Sequence, residues 1–479
     1  MSALHALEEK PSWHSLAGGV RRQGPKSHRA GGDAVRSEQR ERSLIVGLGT
    51  TGLAVARYLT ARGEDVRVID SRPAPPCLQE LREQCPAAEI VLETLDERWL
   101  DGVSRVVLSP GLPLDVPVAQ EALRRGMPLA SDIELFAQAV RAPVVAVTGS
   151  NGKSTVTTLA ARILQAQGLN APAGGNLGPP ALELLGANDA DVYVLEVSSF
   201  QMETTHSLRP RSAAVLNVSA DHLDRHGTLA HYAELKERLL IAAEHAVFNA
   251  DDPLVAAMGA RHPHAVPISV QVPLAHGYSI VAHRGERWLA HDATPLMAAR
   301  DLELRGTHNE ANALAALALT AVFERDIEPA LDVLRTFAGL AHRCQSVAER
   351  AGVKYIDDSK GTNVGATLAA LRGFAGPLVL IAGGLSKGQD LHPLAEAARG
   401  KVKAAVLIGA AAAELEQILG PVCRTHRAGS MRAAVQAAAA IAVPGDTVLL
   451  SPACASQDMF RDYRHRGELF AAAVLELSA

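Results

Sequence analysis

The sequence predicts an α/β protein of three consecutive open, doubly wound domains. Short runs rich in Val, Ile and Leu alternate with Ala/Leu-rich helical stretches from Ser43 onward, which is the pattern of buried parallel strands joined by helices. Glycine-rich turns directly follow several of these runs, and open sheets of this kind bind ligands outside the carboxyl ends of their strands. The length of 479 residues, taken at roughly 150 per domain, suggests about three domains.

Residues 1–42 carry eight Lys/Arg and five Asp/Glu among Gly, Ser, Pro and His, with no sustained apolar period. They read as a disordered extension and contain no apolar segment of the secretory-signal type. A first block, 43–138, shows strands at 44–46, 65–69 and 106–108 and helical runs at 51–62 and 118–124. A second, 139–338, has strands at 144–147, 192–197, 214–217 and 246–249 and a long helix at 309–323. A third, 339–479, has strands at 354–356, 378–381, 404–408 and 447–450.

Composition removes several function classes. Apolar residues at 48% and charged residues at 21% are ordinary globular usage, so wholesale disorder is excluded. The balance 47 − 52 = −5 gives no basic excess for nucleic-acid binding. No apolar run approaches the roughly 18 residues needed to span a bilayer. The five cysteines are scattered and never spaced C-x-x-C, which argues against a disulfide framework or zinc site and for a reducing, cytoplasmic setting. Aromatics are only 4%, so Ala, Leu and Val must fill the core.

Four strand ends carry chemistry. The first is Gly47-Leu48-Gly49-Thr50-Thr51-Gly52, between a strand and a helix, with Asp70 ending the next strand and Arg72 beside it. Its glycines allow close backbone approach to a phosphate, and the acid stands where a ribose hydroxyl is met. Both NAD or FAD and another diphosphate nucleotide fit this pattern. The second is Gly149-Ser150-Asn151-Gly152-Lys153-Ser154-Thr155, after the strand 144–147. It is a phosphate loop for ATP or GTP: backbone N–H groups cradle phosphate, Lys153 reaches the terminal phosphates, and a Ser154 or Thr155 hydroxyl ligates Mg²⁺. Third, Glu196 closes a strand where a carboxylate commonly holds Mg²⁺, and His222 follows another strand end in Asp221-His222-Leu223-Asp224. The fourth gathers Arg343, Lys360 and Lys387 with small hydroxyl residues at strand ends of the third block, which suits an anionic substrate and developing phosphate charge.

In this order the segments resemble the Mur ligases, and among them the members that add glutamate to a peptidoglycan precursor. The resemblance runs from about Ser43 to the C-terminus. It rests on GSNGKST at 149–155, LEVSSFQ at 195–201, DHLDRH at 221–226, AHRC at 341–344, DDSKGTN at 357–363 and LSPACAS at 450–456. It implies a Rossmann-like N-terminal domain, a central domain of the P-loop ATPase type and a Rossmann-like C-terminal domain. It also implies that the first glycine motif receives UDP, not NAD. Thr50, Thr51, Asp70, Arg72, Ser109 and Gly111 would then hold the UDP-substrate, with Asn176 touching it from the central domain. The loop 149–155, Asn309, Asn312, Arg343 and Asp358 would hold ATP. Ser154 or Thr155 with Glu196 would place one Mg²⁺ and His222 a second. Lys236 matches a position often carbamylated in the family, which turns an ammonium into an anionic oxygen ligand. Thr362, Lys387, Ser456 and Tyr463 would hold glutamate.

The implied reaction moves the γ-phosphoryl group of ATP onto the L-alanine carboxylate of UDP-N-acetylmuramoyl-L-alanine. The amine of glutamate then attacks the acyl phosphate, with Lys153, His222, Lys236, Lys360 and Arg343 as the catalytic set. A cytoplasmic monomer using ATP and two Mg²⁺ is expected. Departures cluster at the amino-acid end: Leu385-Ser386 replace Asp-Gly before Lys387, Gln457 follows Ser456, and Tyr463 stands where Phe is common. D-glutamate is the expected substrate; L-glutamate, or the reaction of another Mur or folylpolyglutamate-type ligase, is the alternative.

Overall fold

The computed structural model describes residues 41–186, 189–374 and 376–477. Residues 1–40 of the expected extension lie outside that set, and Arg42 already opens the first strand. The described residues form three sheets, of five, nine and six strands.

The first sheet contains β1 (Arg42–Val46), β2 (Asp65–Asp70), β3 (Glu89–Leu92), β4 (Arg105–Leu108) and β5 (Leu129–Ala130) in the order β3-β2-β1-β4-β5. Every pairing in it is parallel. The strand order reverses beside β1, so its loop and the loop after β4 face one crevice. The turn between β1 and the helix Thr50–Ala61 is glycine-dependent. Gly47 has φ +95°, and a Cβ on Gly52 would stand 2.1 Å from the Gly47 carbonyl oxygen.

The second sheet contains β6 (Val144–Thr148), β7 (Ala173–Gly175), β8 (Tyr193–Glu196), β9 (Ser212–Val215), β10 (His245–Asn249), β11 (Val266–Ser269), β12 (Tyr278–His283), β13 (Glu286–His291) and β14 (Thr294–Ala298). Its order is β14-β13-β12-β11-β10-β9-β6-β8-β7. β6 is central and parallel to both β8 and β9, which sets the phosphate loop, Glu196 and the 217–222 loop along one edge. A doubly wound sheet describes β6–β11, but β12–β14 extend it as an antiparallel meander. That extension is partly solvated and alternates, with β13 reading intermediate-exposed-intermediate-buried-buried-exposed, so it lacks the continuous apolar run of a buried parallel strand.

The third sheet contains β15 (Gln345–Arg350), β16 (Val353–Asp357), β17 (Leu378–Gly383), β18 (Val402–Ile408), β19 (Arg424–Arg427) and β20 (Thr447–Leu450) in the order β15-β16-β20-β17-β18-β19. Only the edge strand β15 is antiparallel among its pairings.

Side chains alternate across the central strand β6. Val145 and Val147 pack beneath the helices Lys153–Ala166 and Thr307–Thr320. Val144 and Ala146 join a cluster with Ile45, Leu48, Ile133 and Phe136 from the first block. The first two sheets therefore share one apolar layer, in which Phe136 meets Tyr193 edge-on at 5.3 Å. The third sheet keeps its own two clusters, with members from its own block among the described residues.

Because the Gly47 carbonyl leaves no room for a methyl group, Gly52→Ala is expected to destabilise the fold by about 1–3 kcal/mol. Urea unfolding followed by circular dichroism measures this, and an unchanged midpoint would contradict the packing described.

Candidate active site

The phosphate loop is built from β6 outward. Gly152, with φ +83°, hands the chain into the helix Lys153–Ala166. Asn217, at the end of β9, holds the loop from outside. Its Oδ1 accepts from Asn151 N at 2.7 Å, its Nδ2 donates to Asn151 O at 3.0 Å, and its carbonyl accepts from Ser150 N at 2.9 Å. The Lys153 ammonium donates to the carbonyls of Gly149 and Ser150, each at 2.9 Å. Burial pushes its pKa down, although Glu196 pulls the other way.

Glu196 lies beside this loop because β8 pairs with β6 in the register Val147↔Glu196. Ser154 Oγ and Asn176 Nδ2 each donate to its carboxylate. Burial pushes the Glu196 pKa up, but Lys153, Ser154 and Arg343 outweigh it and hold the acid below its ordinary value. Arg343 crosses from the third block to donate to Ser154 Oγ at 2.6 Å. Ser154 thus faces the carboxylate, whereas Thr155 lines a neighbouring cavity of about 100 Å³ with Asn309, Asn312, Arg343 and Asp358. The two hydroxyls the sequence left interchangeable look into different spaces.

The main cavity, about 300 Å³, is lined by Lys153, Asn176, Glu196, Asp221, His222, Lys236, Arg343, Lys360, Thr362, Lys387, Ser456 and Tyr463. His222 has φ +55°, and burial pushes its imidazole down to about 4, so the ring is neutral. Lys236, on the helix Leu229–Ala242, is buried and donates to the Gly149 carbonyl at 3.0 Å. Burial, with Lys153 nearby, drives its pKa well below the ordinary lysine value. Lys360 stands over the Tyr463 ring at 3.9 Å, and burial together with Arg343 brings it down to about 7. Asp358 is pushed up to about 7 by burial, against the Ser451 hydroxyl that donates to it at 2.8 Å.

Third-block loops close over the central ones. Asn363 Nδ2 donates to Asp221 Oδ2 at 2.9 Å and to Asn151 Oδ1 at 3.2 Å, and the Lys387 ammonium stands 3.7 Å from Asp221 Oδ1. Leu385 exchanges backbone hydrogen bonds with Ala455, both at 2.9 Å, joining the Lys387 loop to the Ser456 loop. Of the sequence departures, Gln457 and Tyr463 line the cavity, whereas Leu385 is exposed and lies outside the lining.

The residues expected to hold UDP gather elsewhere, at the carboxyl edge of the first sheet. Asp70 accepts from Leu48 N at 2.7 Å and from Arg72. Burial raises its pKa, but these donors more than compensate and keep it ionised. Ser109 Oγ donates to the Gly47 carbonyl at 2.8 Å. Thr50 and Thr51 open the adjoining helix, and Gly111 is exposed in the 109–111 turn. Of the expected UDP set, only Asn176 lines the main cavity.

Residue-type reasoning missed Asn217, Asn363 and Arg466. The first two stand inside segments already singled out, so their position was a signal. Arg466 had none: it is fully buried, donates to Ser359 Oγ, Ser359 O and Cys454 O, and braces the loops that carry Lys360 and Ser456.

Comparison with known proteins identifies the family. Residues 41–131 match a family described as "Mur ligase MurD-like, N-terminal domain", 147–320 "Mur ligase middle domain" and 342–454 "Mur ligase, glutamate ligase domain". A UDP-N-acetylmuramoylalanine--D-glutamate ligase of Methylococcus capsulatus is 47% identical over 92% of this chain and 95% of its own length. The ligase of that name from Pseudomonas aeruginosa is 44% identical over 91% and 98%. In fold, the chain is similar to UDP-N-acetylmuramate-alanine ligase MurC of Thermotoga maritima, with a TM-score of 0.59 at 20% identity over 90% of this chain and 98% of that one. MurF of Acinetobacter baumannii gives 0.58 at 17% over 79% and 86%. Three matching segments in order, and relatives aligned over nine tenths of the length, establish that the chain belongs to the Mur ligase family.

Proposed function

We infer that the chain joins D-glutamate to the L-alanine carboxylate of UDP-N-acetylmuramoyl-L-alanine at the expense of ATP, in peptidoglycan precursor synthesis. The names of relatives at 44–47% identity support the D-glutamate and sugar-nucleotide assignments. One arrangement carries the chemistry: a phosphate loop, a buried ionised carboxylate and third-block cations share one cavity. A cytoplasmic setting follows from the ATP requirement.

A carboxylate is a poor acyl donor because its leaving group would be oxide. One of its oxygens attacks the γ-phosphorus of ATP, ADP leaves, and an acyl phosphate remains. The glutamate amine attacks the acyl carbon and loses a proton, and phosphate leaves as the amide forms. Lys153, Arg343 and Lys360 are positioned to offset charge on the transferring phosphoryl group. Asn309, Asn312 and Asp358, around the smaller cavity, take the nucleoside end of ATP. Lys387 offers an ammonium to a glutamate carboxylate, Thr362 and Ser456 offer hydroxyls, and Tyr463 closes the wall. The 47–52 and 109–111 turns, with Asp70 and Arg72, hold the uridine diphosphate, and Asn176 meets the same substrate in the cavity. Loops of the third block shield the acyl phosphate from water.

The donor set fits Mg²⁺, a hard cation that takes oxygen ligands and retains water. Among the described residues no three His, Cys, Asp or Glu side chains form a metal cluster; hydroxyl and carbamate oxygens, with water and substrate phosphate, would complete the set. Ser154, whose hydroxyl already meets the carboxylate, would hold one ion with Glu196; His222 with a carbamylated Lys236 would hold a second. The neutral His222 has a free lone pair, and a neutral Lys236 amine is the form that adds CO₂ with loss of a proton. Asp221 Oδ1, buried and without a hydrogen-bond partner, adds negative potential at the same place. When bound, the ions neutralise charge on the phosphoryl oxygens.

Phosphate release in the presence of UDP-N-acetylmuramoyl-L-alanine and ATP is expected to require both D-glutamate and Mg²⁺; turnover with L-glutamate alone would overturn the stereochemical assignment. Lys153→Ala is expected to lower kcat/KM by about 10²–10³-fold or more with an unchanged circular dichroism spectrum. Lys236→Arg, which keeps a cation but cannot form a carbamate, is expected to lose activity to a similar degree. Near-native turnover by that variant would remove the carbamate from the mechanism.

A further inference from the structure

Arg225, three residues after His222 on the short helix Leu223–His226, joins two parts of the molecule that are distant in sequence. Its Nη1 donates to the carbonyl of Pro110 at 2.7 Å, across 115 positions. Its Nε and Nη2 grip both oxygens of Glu203, at 3.1 and 2.5 Å. Its guanidinium lies over the Phe200 ring with Cζ 4.1 Å from the centroid. The side chain is 11% exposed and that of Glu203 8%, so the ion pair is poorly screened and its geometry is tightly held. Pro110 belongs to the 109–111 turn, whose Ser109 hydroxyl closes on the first glycine motif. On the other side, Phe200 meets the His222 imidazole edge-on at 4.7 Å.

One planar group therefore bonds to the first sheet's ligand turn and, through one aromatic ring, braces the imidazole at the main cavity. A guanidinium has enough donors in a fixed fork to hold a carboxylate and a carbonyl together; an ammonium does not reproduce that geometry. Glu203 neutralises the charge, leaving the third bond to fix where the first-sheet turn sits.

Resting on the assignment of the 109–111 turn to the sugar nucleotide, we propose that Arg225 is a positioning residue that keeps this turn in register with His222. The two ends of a single substrate are then spaced by one side chain. The nucleotide end is placed from the first sheet and the reacting carboxylate from the central one, and Arg225 sets the distance between them.

Calorimetric titration of full-length protein with UDP-N-acetylmuramoyl-L-alanine, without ATP or metal, tests this alongside steady-state kinetics. Arg225→Met is expected to weaken binding about tenfold, the loss typical of a charge-assisted hydrogen bond. The KM for the sugar nucleotide should rise in step, while the KM for glutamate stays within about twofold of wild type, a split that general structural damage would not give. If the Met variant does not fold, Arg225→Lys is read in its place; it keeps charge beside Glu203 but loses the fork, and binding should weaken measurably. Phe200→Leu, which removes the ring between the Arg225 guanidinium and the His222 imidazole but leaves the Arg225 bonds to Pro110 and Glu203, should lower kcat with little change in nucleotide affinity. Wild-type affinity in both Arg225 variants, equal losses for all substrates, or an unchanged kcat in Phe200→Leu would overturn the proposal. A wild-type protein that binds the nucleotide but releases no phosphate would instead overturn the ligase assignment and leave the Arg225 measurement valid.

Discussion

Cations gathered out of water are the constraint on which the rest of this molecule depends. Lys153, Lys236, Arg343, Lys360 and Lys387 line one cavity together with Glu196, Asp221 and Asp462. Desolvation and mutual repulsion both disfavour the charged form of such lysines. The protein accommodates them individually: Lys153 donates to two loop carbonyls, Lys236 to one of the same carbonyls, and Lys360 rests on an aromatic face. The pKa of each of these three is displaced downward, mainly by burial. A cavity in this electrostatic condition favours polyanions, because each phosphate or carboxylate that enters restores charge balance.

Parallel sheets make such a gathering possible. Every strand of a parallel run ends at the same edge, so loops far apart in sequence meet without special connections. β6, β8 and β9 deliver the phosphate loop, Glu196 and the His222 loop; β16, β17 and β20 deliver Lys360, Lys387 and Ser456 from across the cleft. Backbone crowding fixes these loops closely. A Cβ on Gly383 would lie 1.9 Å from the Ile408 carbonyl oxygen, and one on Gly384 2.0 Å from that of Ala455. Buried Arg466 holds the loops bearing Lys360 and Ser456 from behind.

Much of this was legible in the sequence because strand ends announce themselves: an apolar run, then glycine, then a polar residue able to act on phosphate. Lys153 and Lys387 follow that rule, Glu196, His222 and Lys360 stand at or just past strand ends without the glycine, and all five reach one cavity. The meander β12–β14 was not legible, since its alternating, half-solvated strands lack the apolar run by which the buried strands were found. Residues that work by holding other residues were hidden for a different reason. Arg466 lies 107 positions from Ser359, and Arg225, although inside the DHLDRH segment, lies 115 from Pro110, so neither residue's partner could be read locally. The separate directions of Ser154 and Thr155 depend on the helix phase after Gly152, which side-chain chemistry alone does not reveal.

The division of apolar layers has a thermodynamic meaning for movement. The first two sheets are welded by a shared core, whereas the contacts from the third block to the phosphate and His222 loops are made by Asn363, Arg343 and Lys387. Separating polar surfaces exchanges their hydrogen bonds for bonds to water and uncovers little hydrocarbon, so it carries only a small heat-capacity change. Any opening of the third block is therefore expected to follow an equilibrium that varies gently with temperature and responds to ionic strength, with the other two sheets moving as one platform.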